Sequence, residues 1–250
     1  MLPSNWYCVP GTGAGTGGVR VTGTVVSLEL QMKINTRFEV PYPPRIPDET
    51  GDEGERAALR SIEDNLNSIK SQCDNLVAEV ALYEFCHANP QGHIRGWMFL
   101  AGRDGAMSLR NFKAALSTLR SLVGRCASIR NSVDVVGLKE AESAFSSAFP
   151  RAEKLRHSVA HPESYSNPRI NMTTSEPIPN WLTFAPGTVT IQGSIINRDY
   201  ISTINGLTVG WEISDNSAMT LVDITTSVFR AFAMLDRNWC DKDTTQFWQG

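Results

Sequence analysis

Residues 55–88 read ERAALRSIEDNLNSIKSQCDNLVAEVALYEFCHA. Within them Ile62, Leu66, Ile69, Cys73, Leu76 or Val77, Val80 and Tyr83 recur at three- and four-residue spacing. That is the period of a helix with one buried face. The acidic cluster at 48–55 leads into this helix, and Asn89-Pro90-Gln91-Gly92 stops it. A helix this long with one apolar stripe needs partners, which fixes the fold class as a helical bundle.

The partners come next along the chain. Residues 94–101 form a short helix, and residues 104–129 a second long one whose stripe is Leu109, Phe112, Leu116, Leu119 and Val123. Asp104 stands at its start as a cap. Residues 138–149 make a third helix, and Pro150 suits the first turn of a fourth that runs to His161 and is closed by Pro162. Polar, proline-rich residues 163–187 read as a long loop. Beyond it are three short strands at 188–196, 200–204 and 207–213. Asn205-Gly206 is a type I′ hairpin signal, and Asn197-Arg198 turns the first pair. Ser214 and Asp215 cap a last helix at 216–235, with Leu221, Ile224, Val228, Phe232 and Leu235 on its apolar face.

Residues 1–50 are an N-terminal arm. Val19–Thr22 and Thr24–Leu30 have strand character, the second half being equally compatible with helix, and Pro41, Pro43, Pro44 and Pro47 make an extended linker. The chain thus divides into an arm (1–50), a helical bundle (51–162), and a loop, β-meander and packing helix (163–250) belonging to the same globular unit. The expected fold is mainly α with a small antiparallel sheet appended.

The 250 residues, 41% hydrophobic and 20% charged, have the composition of a soluble globular protein. No apolar run is long enough to span a membrane, and the start lacks the charge and apolar core of a secretory signal. Cys8, Cys73, Cys86, Cys126 and Cys240 are scattered, never as CxxC, which suits reduced thiols and a cytoplasmic location. The net charge of −3 disfavours indiscriminate nucleic-acid binding. Yet residues 91–162 carry 11 Lys/Arg against 5 Asp/Glu, whereas both flanking segments are acidic. A local positive surface attracts anions even on an acidic protein.

The candidates for chemistry are few. Gly13-x-Gly15-x-x-Gly18 matches GxGxxG, but residues 19–22 have strand character where a dinucleotide site requires a helix, so the glycines read as a flexible arm or turn. His157 and His161 are four apart, as in a metal-binding helix. Pro162 biases His161 away from helical geometry, and no partner ligands stand at metal spacing, so neither metal nor cofactor is expected. No nucleophile motif is present. There remains Leu155-Arg156-His157-Ser158-Val159-Ala160-His161-Pro162, in a chain with only four histidines. Its plain reading is a cationic helix C-terminus favoured by the helix dipole. Its chemical reading is a phosphate site, with a fixed charge beside a titratable imidazole.

The string Arg156-x4-His161, with polar His157 after the arginine and Ala160-His161 at its end, resembles the R-x4–6-H motif of the HEPN superfamily. The bundle at 55–162 is similar to the HEPN core, whose motif sits on a late helix. With the segment from Arg103 to Phe112 and the meander, the chain looks like uncharacterised bacterial HEPN-like proteins. The resemblance implies a metal-independent endoribonuclease, of the kind found in toxin–antitoxin, abortive-infection and CRISPR settings, with two motifs converging in a homodimer cleft. It implies Arg156, His161 and His157 as catalytic residues, RNA as substrate, and an antitoxin or regulatory partner; the charged pair Arg103-Asp104, which can simply open the second long helix, is the candidate for a supporting role beside them. The other reading it allows is a non-catalytic module binding nucleotide, RNA or protein.

Overall fold

Asp52 Oδ1 accepts the Gly54 amide at 3.0 Å, and Glu53 and Glu55 lie in the first turn of the helix it caps, α1 (Glu53–Ala88). An acceptor and negative charge at that end satisfy free amides and complement the helix dipole. In this computed structural model the described residues are 38–47, 52–89, 94–150, 152, 194–204, 207–236 and 239. All of them fall in one compact unit spanning residues 34–250. They are mainly helical, with one small antiparallel sheet.

The stripe read from residues 55–88 is the buried face of α1: Ile62, Leu66, Ile69, Cys73, Leu76, Val77, Val80 and Tyr83 are all in the core. Against it lies α2 (Arg95–Val123), which buries Leu109, Phe112, Leu116, Leu119 and Val123. The pairing is antiparallel. Ser108, midway along α2, meets Glu79 of α1, while Ser128, just past its end, binds Glu55 with both amide and hydroxyl at 2.8 Å.

Two helices were expected where α2 runs unbroken. The correction is physical: Gly102 and Gly105 look like helix punctuation, but both are buried and stay helical because the sheet packs onto them. Asp104 is therefore interior to the helix and caps nothing. At the other end α2 stops at Val123 instead of reaching residue 129, and turns carry the chain through Cys126 and Ile129, whose side chains remain buried.

The third helix, α3 (Val135–Ala148), is capped by Asp134, whose carboxylate accepts the Gly137 amide at 2.9 Å. It packs on α2 through Phe145, which stacks on Phe112 at 5.3 Å, and through Glu142, bonded to Lys113, Ser117 and Arg120. Ala152, just past Pro150, is buried; the rest of the expected fourth helix, the loop to 187 and residues 188–193 lie outside the described residues, as do the arm from 1 to 37 and the Asn205-Gly206 turn.

The sheet is a meander of β1 (Ser194–Ile196), β2 (Asp199–Ile204) and β3 (Leu207–Glu212), in sequential antiparallel order. Asn197, at φ 56°, supplies the left-handed position of the first turn. The meander is no appendage. Tyr200, Val209 and Trp211 belong to the same core as the helices.

After it comes α4 (Asp215–Arg230), shorter than the expected 216–235. Its last turns give way to a 3-10 segment at Ala233–Leu235. Ser214 is the cap, its Oγ accepting the Ser217 amide at 3.2 Å. Ser214→Ala is expected to cost about 1 kcal/mol, the usual worth of such a cap, measurable as a lower urea midpoint with unchanged slope.

The proline-rich linker also has a tertiary role. Val40, Pro44 and Ile46 are buried. The Tyr42 carbonyl accepts Trp239 Nε1 at 2.9 Å, and the Arg45 amide donates to Asp236 at 3.0 Å. Residues 38–47, expected as an extended linker, thus pack against residues 236 and 239 near the other end of the chain.

Candidate functional site

Arg156, His157 and His161 lie outside the described residues. The supporting pair, Arg103 and Asp104, is on α2. Arg103 Nε donates to Asp104 Oδ1 at 3.2 Å, and both side chains are about half exposed. An exposed pair of this kind contributes little to stability. Its interest lies in its neighbours.

One turn further along α2, Ser108 is buried and its Oγ lies 3.2 Å from Glu79 Oε1 on α1. Glu79 Oε2 is sealed from solvent and has no hydrogen-bond partner, one of two such buried side-chain atoms among the described residues, with Arg56 Nε. Burial pushes the Glu79 carboxyl up to about 8; the Ser108 hydrogen bond lowers it and the Asp104 charge raises it further. Both burial and Asp104 favour the protonated acid over the carboxylate.

On the sheet side the Tyr200 phenol is pushed up to about 12, first by burial, with Arg103 lowering and Asp104 raising it. Arg103 and Asp104 thus sit where α1, α2 and the meander converge.

The meander is held there by the close approach at Gly102 and Gly105. The Trp211 indole donates from Nε1 to the Gly102 carbonyl at 2.9 Å. A Cβ on Gly105 would stand 2.7 Å from Trp211 Cη2 and closer still to Cζ2, and one on Gly102 would stand 2.9 Å from Tyr200 Cδ2. The two glycines form the seat for two aromatic rings.

No protein-family profile, curated protein or solved structure matches the chain. The chemistry available at the described residues is therefore that of the residues themselves.

A second polar group stands at the end of α1. The Tyr83 hydroxyl donates to the Asn197 carbonyl at 2.8 Å, and the Arg198 guanidinium lies 5.6 Å from the Tyr83 ring. Arg198 also pairs with Glu84 and donates to the Ile213 carbonyl, while His87 stacks on Tyr83 at 5.8 Å. Asp199 faces Glu212 across the β2–β3 register, and its carboxyl is raised by burial first and by Glu212 second.

Among the described residues no cluster of His, Cys, Asp and Glu is placed to hold a metal ion. Cys73, Cys86 and Cys126 are free and buried, and burial pushes the Cys73 thiol up to about 12, so it is inert as a nucleophile. No described helix is long and apolar enough to cross a membrane.

Sequence reasoning missed Glu79, Tyr200, Trp211 and the glycine seat. For Glu79 a signal existed. It stands three residues after Leu76 and four before Tyr83, a carboxylate at stripe spacing on an apolar face.

Proposed function

We propose that this chain is a metal-independent endoribonuclease of HEPN type, acting as a homodimer. The observation that carries the reading is the string Arg156-His157-x-x-x-His161, which lies after a set of packed helices in the one net-positive segment of the chain. The bundle formed by α1, α2 and α3 is consistent with the proposed core.

In this reading the RNA 2′-hydroxyl attacks the adjacent phosphorus and the 5′-oxygen leaves. His161 moves the proton to or from oxygen, with an imidazole suited to that work near neutral pH. Arg156 donates two hydrogen bonds to the non-bridging oxygens as negative charge develops, and its own charge cannot be titrated away. His157 orients the phosphate or His161, and Arg103 and Asp104 support the site. The basic segment attracts the RNA backbone. A toxin or anti-phage defence role, with an antitoxin or other regulator as partner, fits this chemistry.

The test is a cleavage assay on a broad RNA panel in EDTA. The expected products carry 2′,3′-cyclic phosphate and 5′-hydroxyl ends. RNA left intact by the pure dimer would sink the enzyme reading and leave the binding module, which nucleotide and RNA titrations would then address.

A further inference from the structure

We propose that Glu79 is a pH-sensitive lock in the α1–α2 seam, holding the meander end of that seam closed only while its carboxyl carries a proton. Such a lock is independent of the ribonuclease reading.

The geometry is that of a group built for the neutral form. A carboxylate has about four acceptor positions, and here Ser108 Oγ, at a long 3.2 Å, serves one of them. Oε2 is enclosed and unpartnered. The charged group acting on Glu79 from α2 is Asp104, of the same sign, and the nearby guanidinium of Arg103 is directed to Asp104. From the sheet the Tyr200 phenol acts through the same Asp104, and burial pushes it up to about 12, so it adds no charge. A proton on Glu79 removes a charge that no described residue of the seam compensates. Without it, the carboxylate must gain water, and the route to water is separation of α1 from α2 around residues 104–108. Those residues adjoin the glycine seat of Tyr200 and Trp211, so loosening there also loosens the meander.

The raised value sets the sign. Glu79 goes from about 8 in the folded protein to the ordinary 4.5 when unfolded. Its contribution is fully present below 4.5, declines as pH rises towards 8, and is flat above. Urea unfolding of the full chain, wild type beside Glu79→Gln, reads this directly. The ratio of their folding constants is expected to fall roughly tenfold per pH unit up to about pH 8 and then level off. Amide exchange in peptides covering 76–83 and 104–112, corrected for the intrinsic rate, is expected to accelerate as pH rises from about 4.5 towards 8 and to level off above that in wild type, with no such rise in Glu79→Gln.

Ser108→Ala removes a donor to the charged form and should move the break to higher pH; Asp104→Asn removes a like charge and should move it lower. A pH-independent ratio, or seam exchange with the same pH dependence in both proteins, overturns the proposal. If Glu79→Gln does not fold, the opposite shifts of the other two variants decide, and a break that neither moves overturns it.

Discussion

On the proposed ribonuclease reading, His161→Ala and Arg156→Ala are each expected to lower RNA cleavage by roughly 10²–10⁴-fold without unfolding the chain. The range is the usual worth of a general acid or base, and of a group that stabilises charge developing in the transition state. The two losses differ in kind. Removing the imidazole should abolish the pH dependence that it imposes on the rate, and small added imidazole should restore part of the activity. Removing the guanidinium should leave the shape of the pH profile and lower its height, with Arg156→Lys recovering only part because an ammonium cannot make the planar two-point contact. The double variant should be scarcely worse than the single ones if the pair acts as a unit. The checks are initial rates on one cleaved RNA across roughly pH 5–9, the range in which an imidazole titrates, with thermal unfolding and sizing of each variant. Losses below about tenfold, or losses matched by unfolding, would mean that these residues cap a helix and no more.

Gly105→Ala carries the largest expected change in stability. In an exposed helix the substitution would gain about 1 kcal/mol, since alanine is the better helix former. Here the new methyl would overlap the Trp211 ring. The indole cannot simply retreat, because it is buried and its Nε1–H is bonded to the Gly102 carbonyl. Overpacking of a core costs typically about 1–3 kcal/mol, and this overlap with a held ring belongs at the upper end, so about 3 kcal/mol of steric cost less about 1 of helix gain leaves an expected loss of about 2 kcal/mol. For a chain of this size that corresponds to a fall in Tm of roughly 4–8 °C. Trp211→Leu in the same background should relieve much of it, giving a coupling energy of about 1 kcal/mol or more in a double-mutant cycle. Additive effects would show that the glycine seat has no part in holding the meander.

Gly105 also shows why part of the fold was hidden in the sequence. A glycine three residues after another, with an aspartate between them, has the local signature of one helix ending and a capped helix beginning. Both glycines do weaken α2 locally. The chain stays helical because Tyr200 and Trp211, about a hundred positions away in sequence, fill the space that side chains would occupy. The proline-rich linker is similar, since its buried Val40, Pro44 and Ile46 are recognisable only against the residues they cover. The stripe of α1, by contrast, was readable because every neighbour that sets its spacing is on the same helix.

The candidate site divides the same way. Arg156-x4-His161 is legible as a string because its residue types and spacing are local. Arg103 and Asp104 were singled out for their charge, and their place at the meeting of α1, α2 and β2 comes from packing. Glu79 carries no motif; its carboxyl is raised first by burial between the helices and then by Asp104 of α2, against the opposing Ser108 hydrogen bond.

By itself, then, the sequence determined the helix faces, the cap at Ser214 and the turn at Asn197, because periodicity and backbone preference act over a few residues. Only the tertiary structure decided that α2 is continuous, that the meander is core, and that the Glu79 carboxyl is buried with one oxygen unpartnered. Steric contact and desolvation depend on which atoms surround a group, and those atoms come from distant parts of the chain.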